Sequence, residues 1–133
     1  MAEILTIGPV TGLGAIRYTA GEDLTADRGK AVKLSGGSVI KATAATDDAI
    51  GVLLAGGANG AEVSVAPFGA YNGSCYIAAG GALATAGVRV KFDATARFVA
   101  AVSTDRASGR IMGTASGAGA LVEAFLNFPT VLP

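Results

Sequence analysis

The 133 residues suffice for one domain and not two. Ten basic and ten acidic side chains cancel, which excludes both an acidic disordered tail and a basic phosphate-binding protein. With 28 Ala, 20 Gly, no Trp and only 15% charged residues, the composition describes a small-side-chain, apolar-rich domain suited to hiding surface in an assembly.

Taken in order, the chain opens with Ile4, Leu5, Ile7, Val10, Leu13 and Ile16, broken by Gly8-Pro9, Gly12 and Gly14. A stretch this apolar is poorly suited to free solvent, so residues 1–18 are expected to form an extended arm. That arm would pack on its own domain or on a neighbour. Met1 to Val10 carries Glu3 and no basic residue, so it lacks the pattern of a secretory signal, and synthesis in the cytoplasm is expected. Short strand-like runs follow: Ala31-Val32-Lys33-Leu34, Val39-Ile40-Lys41, Gly51-Val52-Leu53-Leu54 and Glu62-Val63-Ser64-Val65. Turn signals at Ser35-Gly36-Gly37, Asp47-Asp48 and Asn59-Gly60 bound them. Asn72-Gly73-Ser74 reads as another turn. Ile77 to Ala86 is the one helix candidate, but Gly80-Gly81 in its middle costs roughly 1 kcal/mol per Gly relative to Ala. Val88-Arg89-Val90-Lys91-Phe92, Arg97-Phe98-Val99 and Leu121-Val122-Glu123-Ala124-Phe125 complete the strands, and residues 127–133 form an apolar tail. An all-β sandwich or small barrel is the expected class.

An internal repeat is the most informative feature. Shifted by 58 residues, Gly29 to Leu54 lies over Gly87 to Met112 without a gap. Identical pairs include Gly29/Gly87, Val32/Val90, Lys33/Lys91, Thr46/Thr104, Asp47/Asp105 and Gly51/Gly109, while Ile40/Phe98 keeps apolar character. One inserted residue then brings Gly60-Ala61-Glu62-Val63 over Gly119-Ala120-Leu121-Val122. The expected organisation is a duplicated β domain over 19–126, with copies at about 24–66 and 82–125, forming one pseudo-symmetric unit. Gly29, Gly51, Gly60, Gly87, Gly109 and Gly119 read as structural turn glycines. Gly51 and Gly109 read as places where a side chain would obstruct a bend or a close backbone approach.

Chemistry-bearing motifs are sparse. His is absent and Cys75 stands alone. That leaves no Ser-His-Asp or Cys-His arrangement, no intrachain disulfide and no thiolate zinc site. Gly12-Leu13-Gly14 lacks the third glycine and acidic partner of a dinucleotide loop, and Arg28-Gly29-Lys30 lacks the frame of a phosphate loop. Asp23, Asp27 and Asp47-Asp48 do not repeat acidic ligands at the spacing of a calcium loop. Lys33 and Lys91 invite comparison with biotinyl and lipoyl carrier domains, but they lie within strand patterns and have no Met neighbours. Phe68, Tyr71 and Tyr76 could form a carbohydrate-stacking platform, although core or subunit packing is the simpler reading. No apolar run approaches the roughly 20 residues that span a bilayer. No enzyme, cofactor, metal, nucleic acid or membrane partner is expected.

The order of these elements resembles the phage capsid cement, or head decoration, proteins. The matching residues are Thr19-Ala20-Gly21-Glu22-Asp23-Leu24, Ala31-Val32-Lys33-Leu34, Thr46-Asp47-Asp48-Ala49-Ile50-Gly51-Val52 and Gly60-Ala61-Glu62-Val63-Ser64-Val65. The second half adds Ala79-Gly80-Gly81-Ala82-Leu83-Ala84-Thr85-Ala86-Gly87 and the Gly109 and Gly119 turns, so the likeness spans roughly residues 15 to 126. Val88 stands where the family often has an acid, and Ala96 where it often has Gly. The resemblance implies a small barrel-like or tulip-like β domain. It also implies a homotrimer on the outer capsid surface of a virion, where it contacts the major capsid protein and bridges neighbouring capsomers. Expected capsid or subunit contacts are Ile4, Leu5, Ile7, Pro9, Val10, Leu13, Ile16, Arg17 and Tyr18. The alternative is a small carbohydrate-binding or adhesin-like β module.

Overall fold

Short apolar runs separated by Gly and Asp turns cannot build helices long enough to bury a face. They pair as strands instead. The computed structural model describes residues 14–71 and 73–133, and among these there is no helix. The first sheet contains β1 (Ile16–Thr19), β2 (Ala31–Ser35), β3 (Ser38–Lys41), β4 (Ala49–Ala55) and β5 (Glu62–Pro67). The second contains β6 (Ser74–Ala78), β7 (Arg89–Phe92), β8 (Phe98–Ala100), β9 (Arg106–Ile111) and β10 (Leu121–Val131). Their strand orders are β1-β5-β4-β2-β3 and β6-β10-β9-β7-β8, so the two sheets repeat one another strand for strand, with antiparallel ladders throughout. In each sheet the two edge strands meet at only one isolated parallel bridge, Ala20 with Val39 and Ala79 with Phe98. Neither sheet therefore closes into a barrel, and the architecture is a small β sandwich.

Equivalent residues fill the two concave faces. Val32, Val39, Leu53, Val63 and Val65, with Ala20 and Leu24, are buried in the first sheet. Val90, Phe98, Ile111, Val122 and Ala124, with Ala79 and Leu83, take the same places in the second. Fully burying such a side chain contributes roughly 1.5–3 kcal/mol. The registers locate the equivalence in detail. Val32 pairs with Gly51 as Val90 pairs with Gly109, an offset of 58 residues. The bridges at Val39 and Phe98 require an offset of 59.

The gap-free alignment is therefore corrected at two points. The β7–β8 turn carries one more residue than the β2–β3 turn, since Leu34 pairs with Val39 but Phe92 with Phe98. Thr43 then has no counterpart, because Ala42 bonds Ala31 as Ala101 bonds Arg89, while the Ala44 and Val102 amides both reach the next aspartate. Val39, not Ile40, is the partner of Phe98. The repeat also starts earlier than residue 24, because β1 corresponds to β6. Arm residues Ile16–Tyr18 lie in β1, and tail residues 127–131 are the end of β10, where Thr130 pairs with Ala107 and Val131 with Arg106.

The halves join asymmetrically. Ala31, Val52 and Ala66, on the convex face of the first sheet, are fully buried in the cluster formed with the second half. The tip of the β7–β8 hairpin lies on that face, where the Ala31 N–H donates to the Ala96 carbonyl at 2.8 Å. Edge strand β6 touches it too, the Ala78 N–H donating to Gly29 at 2.9 Å. Phe92 seals the joint, stacked on Phe68 at 6.3 Å and edge-on to Phe98 at 6.4 Å.

Candidate binding surface

Of the expected contact residues, Ile4, Leu5, Ile7, Pro9, Val10 and Leu13 lie outside the described residues. Ile16 and Arg17 are exposed and Tyr18 is half-buried, all on edge strand β1. Arg17 meets Glu62 across the β1–β5 ladder at 3.2 Å, an exposed pair of the kind that contributes at most about 1 kcal/mol. The six singled-out glycines divide by cause. Gly29, Gly60, Gly87 and Gly119 have φ between 86° and 89°, the left-handed region that a Cβ disfavours. Gly51 and Gly109 are instead glycines of close approach: a Cβ would come within 2.2 Å of the Ala66 carbonyl oxygen and 2.7 Å of the Phe125 one, at equivalent points of the β4–β5 and β9–β10 ladders.

The repeated lysines are ion-paired rather than presented. Lys33 reaches Asp47 and Lys91 reaches Asp105, each at 3.0 Å. The Thr43 amide, then Lys33 and the Ala44 amide, hold the Asp47 carboxyl down at about 2. The Val102 amide and then Lys91 lower Asp105 in the same way. These pairs pin the connections leading into β4 and β9. Buried Asp27 binds Lys30 at 2.7 Å and Lys41 at 3.5 Å beside a cleft of about 370 Å³, which Arg97 and Glu22 also line. Among the described residues no group of three acidic, His or Cys side chains converges on a point where a metal could sit. Burial pushes the Cys75 thiol up to about 11, so it behaves as a small apolar side chain.

The aromatic stretch is not brought together. Phe68 is core, Tyr71 packs half-buried against it, and Tyr76 stands on the convex face of the second sheet with Arg28 over its ring at 5.4 Å. What the structure brings together on that face is a different set. One rung runs Ser74, Phe125, Arg110, Arg89 across four strands, and the next runs Tyr76, Glu123, Met112. Leu121, Met112, Tyr76 and Phe125 are 41–50% exposed. Arg89 and Arg110 face each other directly, an arrangement that like charges disfavour, and among the described residues neither has an ion-pair partner. Exposed aromatic, Met and Arg side chains are types enriched at interfaces, here with Glu123 as the one acid among them. The Leu121–Phe125 run signals a strand, but not the surface it presents. The available signal was apolar residues on both alternating faces, Val122 and Ala124 inward and Leu121 and Phe125 outward.

No protein-family profile matches the chain, and no curated protein does. Among solved structures, the chain is similar to the N base of the head fiber protein gp8.5 of bacteriophage phi29, with a TM-score of 0.61 and 16% identity. The likeness covers 88% of this chain and 96% of that one. At that identity it establishes a shared fold.

Proposed function

We propose that this chain is a structural virion protein that binds the outer surface of a phage capsid and stabilises the shell by bridging neighbouring capsomers. The carrying observation is the end-to-end likeness to the base of a phage head fiber, in a chain whose motif order resembles capsid cement proteins. The partners in this reading are the major capsid protein and two further copies of the chain as a homotrimer. Ile4 to Tyr18 supply capsid or subunit contacts. The chain works by binding and not by catalysis, with no cofactor, nucleic acid or membrane. Repeating one modest contact across linked subunits raises avidity without a large interface on each.

Co-sedimentation with purified expanded capsids tests this reading. The protein should pellet with capsids at a fixed ratio to the major capsid protein and should not pellet alone. Deleting residues 2–14 should abolish co-sedimentation while leaving the melting temperature nearly unchanged. No saturable binding to capsids would refute the virion role. Loss of folding on deletion would move the arm into the core and refute its assignment as the contact.

A further inference from the structure

The two halves are joined by a contact that is used once and left open once. In the first half, the convex face of the sheet receives the next half's hairpin tip and edge strand. Each residue of that socket has a counterpart in the second half, and there none of the described residues fills the socket. A Cβ on Gly29 would come within 2.7 Å of the Ala78 nitrogen, whereas one on its counterpart Gly87 meets nothing within 4 Å. Buried Ala31, Val52 and Ala66 correspond to exposed Arg89, Arg110 and Phe125, and half-buried Leu54 to exposed Met112.

The inserted part is likewise duplicated. Phe92 and the β7–β8 tip fill the first socket, and their counterparts, Leu34 and the Gly36-Gly37 tip of β2–β3, are exposed. Leu34 is 50% exposed, and a Cβ on either glycine would meet open space. Thr19, on the free side of edge strand β1, corresponds to Ala78, which donates to Gly29 within the chain.

We propose that the occupant of the open socket is a second copy of this chain. Its Leu34 and Gly36-Gly37 tip seat on Arg89, Arg110, Met112 and Phe125, and its Thr19 edge lies against Gly87. The contact is head-to-tail, so each copy uses two different surfaces, and copies close into a ring or continue as a filament according to the rotation between them. The socket's chemistry suits this occupant. The tip carbonyls of Gly36 and Gly37 offer acceptors to two guanidiniums that bond none among the described residues, and Leu34 covers Phe125 and Met112. Three copies closing the ring rests on the homotrimer reading above; the identity of the two faces does not.

Two variants test it, Leu34→Asp at the tip and Phe125→Asp in the socket. Both residues are half exposed, and an unchanged circular dichroism spectrum with a cooperative thermal transition serves as the folding control, the transition itself shifting down as association is lost. By analytical ultracentrifugation the wild type should associate, as a ring or an open chain of copies, and a wild type that is monomeric at high concentration overturns the proposal. Each variant alone should weaken association by at least about tenfold and sediment as a monomer. Mixed in equal amounts they should form a dimer of two chain masses, because one intact tip then meets one intact socket. A mixture that stays monomeric overturns the head-to-tail assignment, as does a variant that keeps the wild-type mass. An oligomer that survives both substitutions overturns the choice of faces while upholding the homotrimer, and capsid co-sedimentation of either variant reports on the virion role separately.

Discussion

Gly51 gives the sharpest local test, because the structure says both that alanine is excluded there and by how much more than at its counterpart. In Gly51→Ala the new methyl would lie 2.2 Å from the Ala66 oxygen and 2.8 Å from both the Ala66 carbonyl carbon and the Pro67 Cα, all of them backbone. Ordinary contact begins near 3.4 Å, so β5 must move by about 1 Å against a core that contains Val63 and Val65. Overpacking of this kind costs about 1–3 kcal/mol and occasionally more, and Gly51→Ala should fall at or above the top of that range. In Gly109→Ala the single tight contact is the Phe125 oxygen at 2.7 Å, with the flexible Leu126 side chain next at 3.5 Å. A loss of about 1 kcal/mol is expected. Gly117→Ala is the control, with open space and no positive φ, and should be neutral or slightly stabilising. Urea unfolding at equilibrium orders the three. Close approach is refuted as the reason for glycine if Gly51→Ala matches the wild-type midpoint, or if Gly109→Ala loses more than Gly51→Ala.

Four further outcomes follow from the same geometry. Ala31→Arg should destabilise by several kcal/mol, since it buries an unpaired charge in the joint between the halves, while Arg89→Ala at the equivalent open position should leave the folding of the single chain nearly unchanged; thermal unfolding of both in the Leu34→Asp background, where copies do not associate, checks this. Asp47 is held at about 2 when folded, so its contribution is present above about pH 4, the unfolded carboxylate range, and is lost as pH falls toward 2. Urea midpoints of Asp47→Asn measured between pH 7 and 2 should show a flatter acid limb than the wild type. Thr104 sits exposed at φ 73°, a region costly to β-branched residues, so Thr104→Gly should raise stability by up to about 1 kcal/mol in urea unfolding. Cys75 should react with a thiol reagent slowly in the native protein and at the free-thiol rate in denaturant, followed spectrophotometrically.

The strand pattern was legible because alternation in Val63-Ser64-Val65 and Val90-Lys91-Phe92 is set by local burial on one face. The repeat was legible through residues with a backbone or charge role in both copies, Gly51 and Gly109, Asp47 and Asp105. Its start and its two compensating offsets were not. β1 and β6 share strand form rather than residue identity, and a turn one residue longer leaves little trace in an Ala-rich chain. The departure at Ala96 gained a physical meaning only in the structure, where it holds φ 65° at the hairpin tip that contacts Ala31, a conformation glycine takes freely. The candidate surface was hidden for a different reason. Arg89, Arg110 and Phe125 are ordinary strand residues until the topology sets them side by side and the first half shows what that face can hold.

The proposed attachment to the outside of a phage shell is best tested by cryo-electron microscopy of expanded capsids prepared with and without this protein. The difference map should show density of the size of this domain on the outer surface, repeated where neighbouring capsomers meet. Density confined to the interior or to a tail, or two maps without a difference, would contradict it.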